Sequence, residues 1–95
     1  MAVYKAEEWQ GSSGQWYCAN TSNLGNSSAY WYHQAKIWGK SGDEFVQMLV
    51  EKFHCNHISY NLERDTLVFS WDVLADMRKY KNALNAQARK VAYEI

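Results

Sequence analysis

The residues of this chain with the greatest chemical potential lie around Cys55, which is preceded by His54 and followed two residues later by His57. A cysteine becomes a nucleophile when a neighbouring base takes its proton and a third group orients that base. His33 or His57 with Asp65 are the candidates for these two roles. The sequence has no glycine-rich phosphate loop, Gly-x-Ser-x-Gly elbow or His-Glu-x-x-His helix that would support catalysis. We therefore predict that the chain is not an enzyme.

A zinc site is the second chemistry that these residue types allow, since two cysteines and two histidines make a tetrahedral ligand set. The candidates are Cys18, His33, Cys55 and His57. No pair of cysteines has the separation of about two to four residues that is typical of zinc fingers. On an extended segment, His54 would also point away from Cys55 and His57. We predict no metal and no cofactor, and interpret Cys18 and Cys55 as buried thiols.

A basic face on the C-terminal segment is the first candidate binding surface. The positions Arg78, Asn82, Asn85 and Arg89 fall within a narrow arc of a helix, and three lysines flank them at Lys79, Lys81 and Lys90. Arg and Asn side chains are suited to bidentate hydrogen bonds with phosphates or base edges. We predict Arg78, Lys81, Asn85 and Arg89 as residues for nucleic acid or an acidic protein partner. A solvated face opposite an apolar stripe is the alternative.

Aromatic residues form the second candidate surface, because the chain has five Trp and seven Tyr. All aromatic residues among the first 38 are Trp or Tyr, which combine an apolar body with a polar group and suit both cores and interfaces. We predict that the exposed members of one cluster bind a protein partner and that about half of the cluster is core. The cluster comprises Tyr30, Trp31, Tyr32 and Trp38, with Trp9 and Trp16 in reserve.

Length and charge restrict the class of protein further. A chain of 95 residues is expected to form a single domain over residues 1–95. Lys and Arg balance Asp and Glu at ten each, so no global field attracts nucleic acid or an anionic membrane. No segment approaches the roughly 20 apolar residues of a membrane helix. Charges at Lys5, Glu7 and Glu8 are unlike a signal peptide, so we expect a cytoplasmic protein without membrane association.

Periodicity predicts the elements that position these residues. Apolar residues recur at steps of three and four from Val73 to Ile95, which indicates a long amphipathic helix with Asp72 as its N-cap. Residues 57–62 and 66–71 alternate as the strands of a hairpin. A second helix begins at Ser41, because Ser41 and Glu44 form a capping box.

The remaining segments complete an α+β domain. We predict a short helix between Ser28 and Gly39, with Gly39 ending it in the left-handed conformation. Strands at residues 3–9 and 16–19 flank the turn formed by residues 11–14. The predicted order is β-β-α-α-β-β-α, with an antiparallel sheet and about three helices in segregated layers.

The segment from Gln34 to Leu49 resembles a helix-turn-helix motif in its spacing. The resemblance rests on four positions, Ala35, Gly39, Phe45 and Met48. Lys40 stands where the motif has an apolar residue, and the second helix carries Asp43, Glu44 and Glu51, which DNA phosphates would repel. We predict a pair of core helices joined by a glycine turn.

These patterns favour a non-catalytic protein-binding module. In type, the chain resembles the accessory proteins of phages and mobile elements, some of which, such as anti-CRISPR proteins, inhibit host defence nucleases. It lacks the strong acidity of inhibitors that mimic DNA. We therefore expect inhibition through shape and aromatic contacts, with a small nucleic-acid-binding module as the alternative function.

Overall fold

The predicted order of elements is confirmed. The structure is a computed structural model that describes residues 6–19 and 31–94, except for the side chains of residues 19, 32 and 92–94. The described residues form a mixed α+β fold with two antiparallel hairpins and three helices. The elements are β1 (Glu7–Gln10), β2 (Trp16–Ala19), α1 (Trp31–Ile37), α2 (Gly42–Phe53), β3 (His57–Asn61), β4 (Thr66–Ser70) and α3 (Leu74–Glu94).

The long helix α3 buries the apolar stripe that its periodicity predicts. Met77, Tyr80, Leu84 and Ala88 are all buried. The N-cap prediction is not confirmed, because α3 begins at Leu74 and the Asp72 carboxylate instead lies 2.7 Å from His57 Nε2. Within the described ranges, no helix combines the length and apolar character needed to cross a bilayer.

The two hairpins meet at one pair of tryptophans. The Trp16 amide donates to the Trp71 carbonyl at 2.7 Å, and the Trp71 amide donates to the Trp16 carbonyl at 3.0 Å. Pairing between the hairpins extends no further among the described residues. Asp72 follows Trp71, and its amide donates to Asn56 Oδ1 beside the start of β3. The chain after Trp71 is therefore bonded towards β3 rather than towards β2. The sequence predicted one antiparallel sheet, whereas the described residues form two two-stranded sheets that are joined by a single bridge.

The turn between α1 and α2 follows its predicted chemistry. Gly39 has a φ of 65°, the left-handed conformation that glycine adopts at low cost. Ser41 Oγ accepts from the Glu44 amide, and the Glu44 carboxylate accepts from the Ser41 amide. The capping box is therefore confirmed, and it fixes where α2 starts.

The core lies between the helices and one face of each hairpin. Phe45, Phe69, Trp71 and Tyr80 form an aromatic cluster that is almost fully buried. Tyr80 Oη donates to Gln34 Oε1 at 2.8 Å, so the buried amide of α1 has a partner inside this cluster. Residues on the other face of β4, such as Val68, are exposed.

Candidate binding groove

The predicted aromatic cluster divides between core and surface. Trp38 packs against Phe53 and Tyr80, with ring centroids 6.2 and 6.4 Å away, and is a partly buried residue at the boundary of the core. Its indole Nε1 is inaccessible to solvent and has no hydrogen-bond partner among the residues that the structure describes. Tyr30 and the side chain of Tyr32 lie outside the described part of the structure.

Trp31, by contrast, forms one wall of a half-open groove at the edge of the β3–β4 hairpin. The groove has a volume of about 370 Å³ and a mainly apolar surface. This volume lies at the lower end of the range for ligand pockets, roughly 300 to 1,000 Å³. The groove is lined by Trp31, Gly42, Asp43, Val46, Ile58, Tyr60 and Leu67.

Asp65 holds the two aromatic walls of the groove in place. Its backbone carbonyl accepts from Trp31 Nε1 at 3.3 Å, and its carboxylate accepts from Tyr60 Oη at 2.5 Å. The two rings meet edge to face, with centroids 6.1 Å apart. The hydrogen bond to the Asp65 carboxylate raises the pKa of Tyr60, which keeps its hydroxyl protonated as the donor. Both rings are thus fixed before any partner arrives.

The turn that carries Asp65 is itself ordered by a side chain. Asn61 Oδ1 accepts from the amides of Glu63 and Arg64, which is the local bond that favours Asn at turns. Asp65 has a φ of 49°, a left-handed conformation that Asp tolerates better than most residues. The turn therefore presents Asp65 to both rings at once.

Gly42 determines how closely Trp31 approaches α2. A Cβ atom at residue 42 would lie 2.9 Å from Cη2 and Cζ3 of the Trp31 ring. Glycine is therefore needed here for space at the wall of the groove. Of the residues at this site, the sequence predicted Trp31 as a binding residue, but not Gly42, Tyr60 or Asp65. The alternation of residues 57–62 placed Tyr60 on one face of a strand, but did not show that its side chain lines a groove and is 48 % exposed.

Most of the predicted basic face is engaged within the chain. The Glu8 carboxylate on β1 accepts from Arg78 Nη2 and from Lys81 Nζ, each at 2.8 Å. Asn85 Oδ1 accepts from the Ala6 amide at 2.6 Å. Hydrogen bonds from Arg78 and Lys81 lower the pKa of Glu8 to about 2. These contacts attach the N-terminal hairpin to α3.

Other cations on α3 remain directed to solvent. Lys79, Arg89 and Lys90 are exposed, and none has a carboxylate within ion-pair distance among the described residues. Of the four predicted positions, Arg89 is therefore the one that stays available. The side-chain periodicity could place all four on one helix face, but could not show that Glu8 reaches that face.

The residues around Cys55 do not form a nucleophilic site. Cys55 Sγ donates to the carbonyls of Ser70 at 3.2 Å and His57 at 3.6 Å. Burial raises the pKa of this thiol to about 11, so it is not a thiolate at neutral pH. The His57 ring is hydrogen-bonded to Asp72, and the Asp65 carboxylate is bonded to Tyr60.

No described cluster fits a metal ion either. Among residues 6–19 and 31–94, no group of three or more His, Cys, Asp or Glu side chains is positioned to hold one. Cys18 is buried, which raises its pKa to about 12. His54 leaves α2 in the left-handed conformation, with a φ of 58°.

Comparisons with known proteins add no assignment. Neither a scan of protein-family models nor searches of curated proteins and of solved structures find a match to this chain.

Proposed function

We propose that this chain is a non-catalytic protein-binding module whose docking site is the groove that Trp31 and Tyr60 line. The observation that carries the proposal is the attachment of both rings to Asp65 at the walls of a half-open apolar groove. Trp and Tyr are enriched among the residues that dominate binding energy. Rings already held in place also lose little conformational entropy when a partner binds.

The finer form of the proposal concerns what binding does. A small module that covers a partner's surface blocks whatever acts there. We propose inhibition of a host defence nuclease, as in anti-CRISPR proteins. The balanced charge of the chain favours contact through the apolar groove over imitation of nucleic-acid phosphates.

Capture from bacterial lysate with matched variants tests the docking site. Tyr60→Ala removes one wall of the groove, whereas Val68→Ala removes an exposed apolar side chain from the opposite face of the same hairpin. We expect the wild type and Val68→Ala to retain the same protein after nuclease treatment, and Tyr60→Ala to lose it. Titration of the purified partner should show a loss of at least about 30-fold in affinity for Tyr60→Ala.

Two results would count against the proposal. Equal capture by Tyr60→Ala and the wild type would remove the groove as the docking site. Capture that disappears after nuclease treatment would show that nucleic acid, not a protein surface, is the direct ligand. Thermal unfolding of each variant by circular dichroism verifies that the fold is intact.

A nucleic-acid-binding module is the second candidate, and the exposed cations of α3 favour it. Arg89→Ala with Lys90→Ala removes two of these cations without touching the contacts of Glu8. Fluorescence anisotropy with a single-stranded oligonucleotide should show salt-sensitive binding that this double variant weakens. Lys52→Ala on α2 is the control, because Lys52 is exposed on a different helix. Binding that the double variant leaves unchanged excludes this candidate.

A further inference from the structure

The groove is lined in part by β3, which has an outer edge that no other described strand pairs with. Among the described strands, β3 pairs with β4 alone. Alternate N–H and C=O groups of an edge strand point outwards and can pair with another extended chain. Four of the five residues of β3 are exposed, including Ser59 and Tyr60. An incoming strand would gain main-chain hydrogen bonds along β3.

The groove beside this edge would receive side chains of the incoming strand. It lies between β3, which contributes Ile58 and Tyr60, and α2, which contributes Asp43 and Val46. Successive side chains of an extended peptide point to opposite faces. A peptide paired with β3 would therefore direct every second side chain towards the groove. Strand addition beside a pocket is a recurrent mode of peptide recognition in which the pocket supplies specificity.

The charge of the groove selects among the side chains that would fit. Asp43 is the charged residue among the described lining residues, and the carboxylate of Asp65 lies at the hydroxyl of Tyr60. No cation occurs among the lining residues that the structure describes. An acidic side chain would meet repulsion from both carboxylates. A basic side chain would be attracted by both carboxylates and would contact the apolar surface of the groove.

Arginine and lysine side chains match both the apolar surface of the groove and its polar and aromatic groups. Their aliphatic stems pack on apolar surface such as Val46 and Ile58, while the charged ends stay near water. The cationic group can lie against an aromatic face of Trp31 or Tyr60. It can also form a charge-assisted hydrogen bond with the Asp43 carboxylate. An uncharged aliphatic side chain would contact only the apolar surface.

We infer that the groove binds an extended, basic segment of the partner protein, which pairs with the outer edge of β3 and places an Arg or Lys side chain in the groove that Trp31 and Tyr60 line. The inference rests on the proposed function, because it names the occupant of that docking site.

A displayed library of random octapeptides, selected on the immobilised full chain, tests the occupant. We expect the selected peptides to contain one Arg or Lys flanked by β-branched residues, and to bind Tyr60→Ala at least about tenfold more weakly. Replacing the basic residue of a selected peptide by Glu should lower its affinity by about tenfold or more. Asp43→Asn should weaken binding about two- to fivefold, whereas Glu51→Gln, on an exposed position of the same helix, should have no effect.

Hydrogen exchange distinguishes strand addition from other modes of docking. Amides of β3 that point to solvent should become protected when a selected peptide binds, and those of β1 should not. The inference is overturned if basic residues are not enriched, if the Glu-substituted peptide binds equally well, or if β3 gains no protection. Any of these results combined with loss of partner capture by Tyr60→Ala leaves the proposed docking site standing. Unchanged capture by Tyr60→Ala overturns the docking site itself.

Discussion

The attachment of the N-terminal hairpin to α3 depends on one carboxylate, and Glu8→Gln tests how much it stabilises the fold. Glu8 accepts hydrogen bonds from Arg78 and Lys81, and its side chain is only 23 % exposed. Glutamine keeps the size of the side chain but loses its charge. The bond between Asn85 and the Ala6 amide remains, so the hairpin should stay docked.

The pKa of Glu8 gives the magnitude. A fall from the ordinary value of 4.5 to about 2 corresponds to an upper limit of about 3 kcal/mol in the free energy of unfolding. Solvent screens part of this interaction, because 53 % of the Arg78 side chain is exposed. We therefore expect Glu8→Gln to lower the free energy of unfolding by about 1 to 2 kcal/mol at neutral pH.

The sign of the pH dependence follows from the direction of the shift. The folded state lowers the pKa of Glu8, so the stabilisation is complete above the unfolded value of 4.5. It is lost as the pH falls through the folded value of about 2, because Glu8 then binds a proton. The difference between wild type and variant should therefore shrink between about pH 5 and pH 2.

Urea denaturation followed by tryptophan fluorescence, repeated across this pH range, measures the difference. Glu7→Gln is the matched control, since Glu7 is the exposed neighbour on β1 and forms none of the ion pairs among the described residues. We expect its free energy of unfolding to stay within about 0.5 kcal/mol of the wild type. A Glu8→Gln difference that is near zero at neutral pH, or that does not change with pH, would refute the reasoning.

Three further predictions concern the core, the helix turn and the thiols. Tyr80→Phe should lower the free energy of unfolding by about 1 to 3 kcal/mol in urea denaturation, because buried Gln34 Oε1 loses its hydrogen-bond donor. Tyr60→Phe removes an exposed hydroxyl and should lower the free energy of unfolding by less than about 0.5 kcal/mol. Gly39→Ala should lower the free energy of unfolding by about 1 kcal/mol, and Gly39→Asn should lower it by less, because Asn adopts the left-handed conformation more readily than Ala. Thermal unfolding measures both variants, and equal losses of stability would contradict the left-handed turn. Cys18 and Cys55 should resist alkylation by iodoacetamide in the native chain at about pH 8, because burial raises the pKa of each thiol. Both should react after denaturation, which mass spectrometry would show. Rapid alkylation of either thiol in the native chain would contradict its burial.

Local patterns predicted the elements because their causes are local. The capping box at Ser41, the left-handed glycine at Gly39 and the stripe of α3 each depend on residues a few positions apart. One local prediction that is not confirmed, Asp72 as the N-cap of α3, concerns a side chain that instead hydrogen-bonds to His57 on β3. Contact with a distant strand therefore displaced a local preference.

The candidate site was only partly predictable, because its parts come from three separate segments. Trp31 was predicted as a binding residue from its type and its aromatic neighbours. Tyr60 and Asp65 join the site only when the β3–β4 turn reaches Trp31, which is 34 residues from Asp65 along the chain. No periodicity within one segment reports such a contact.

The basic helix face shows most clearly what the sequence alone determined and what the tertiary structure decided. Helical periodicity determined that Arg78, Lys81 and Asn85 share one side of α3, because side chains three and four apart lie on one face. Only the folded chain brings Glu8 to that side, from 70 residues away from Arg78 and 73 from Lys81. Periodicity describes where a side chain points, whereas its partner depends on which other segment packs there. The tertiary structure therefore decided that most of this face attaches the N-terminal hairpin to α3, whereas Arg89 stays exposed.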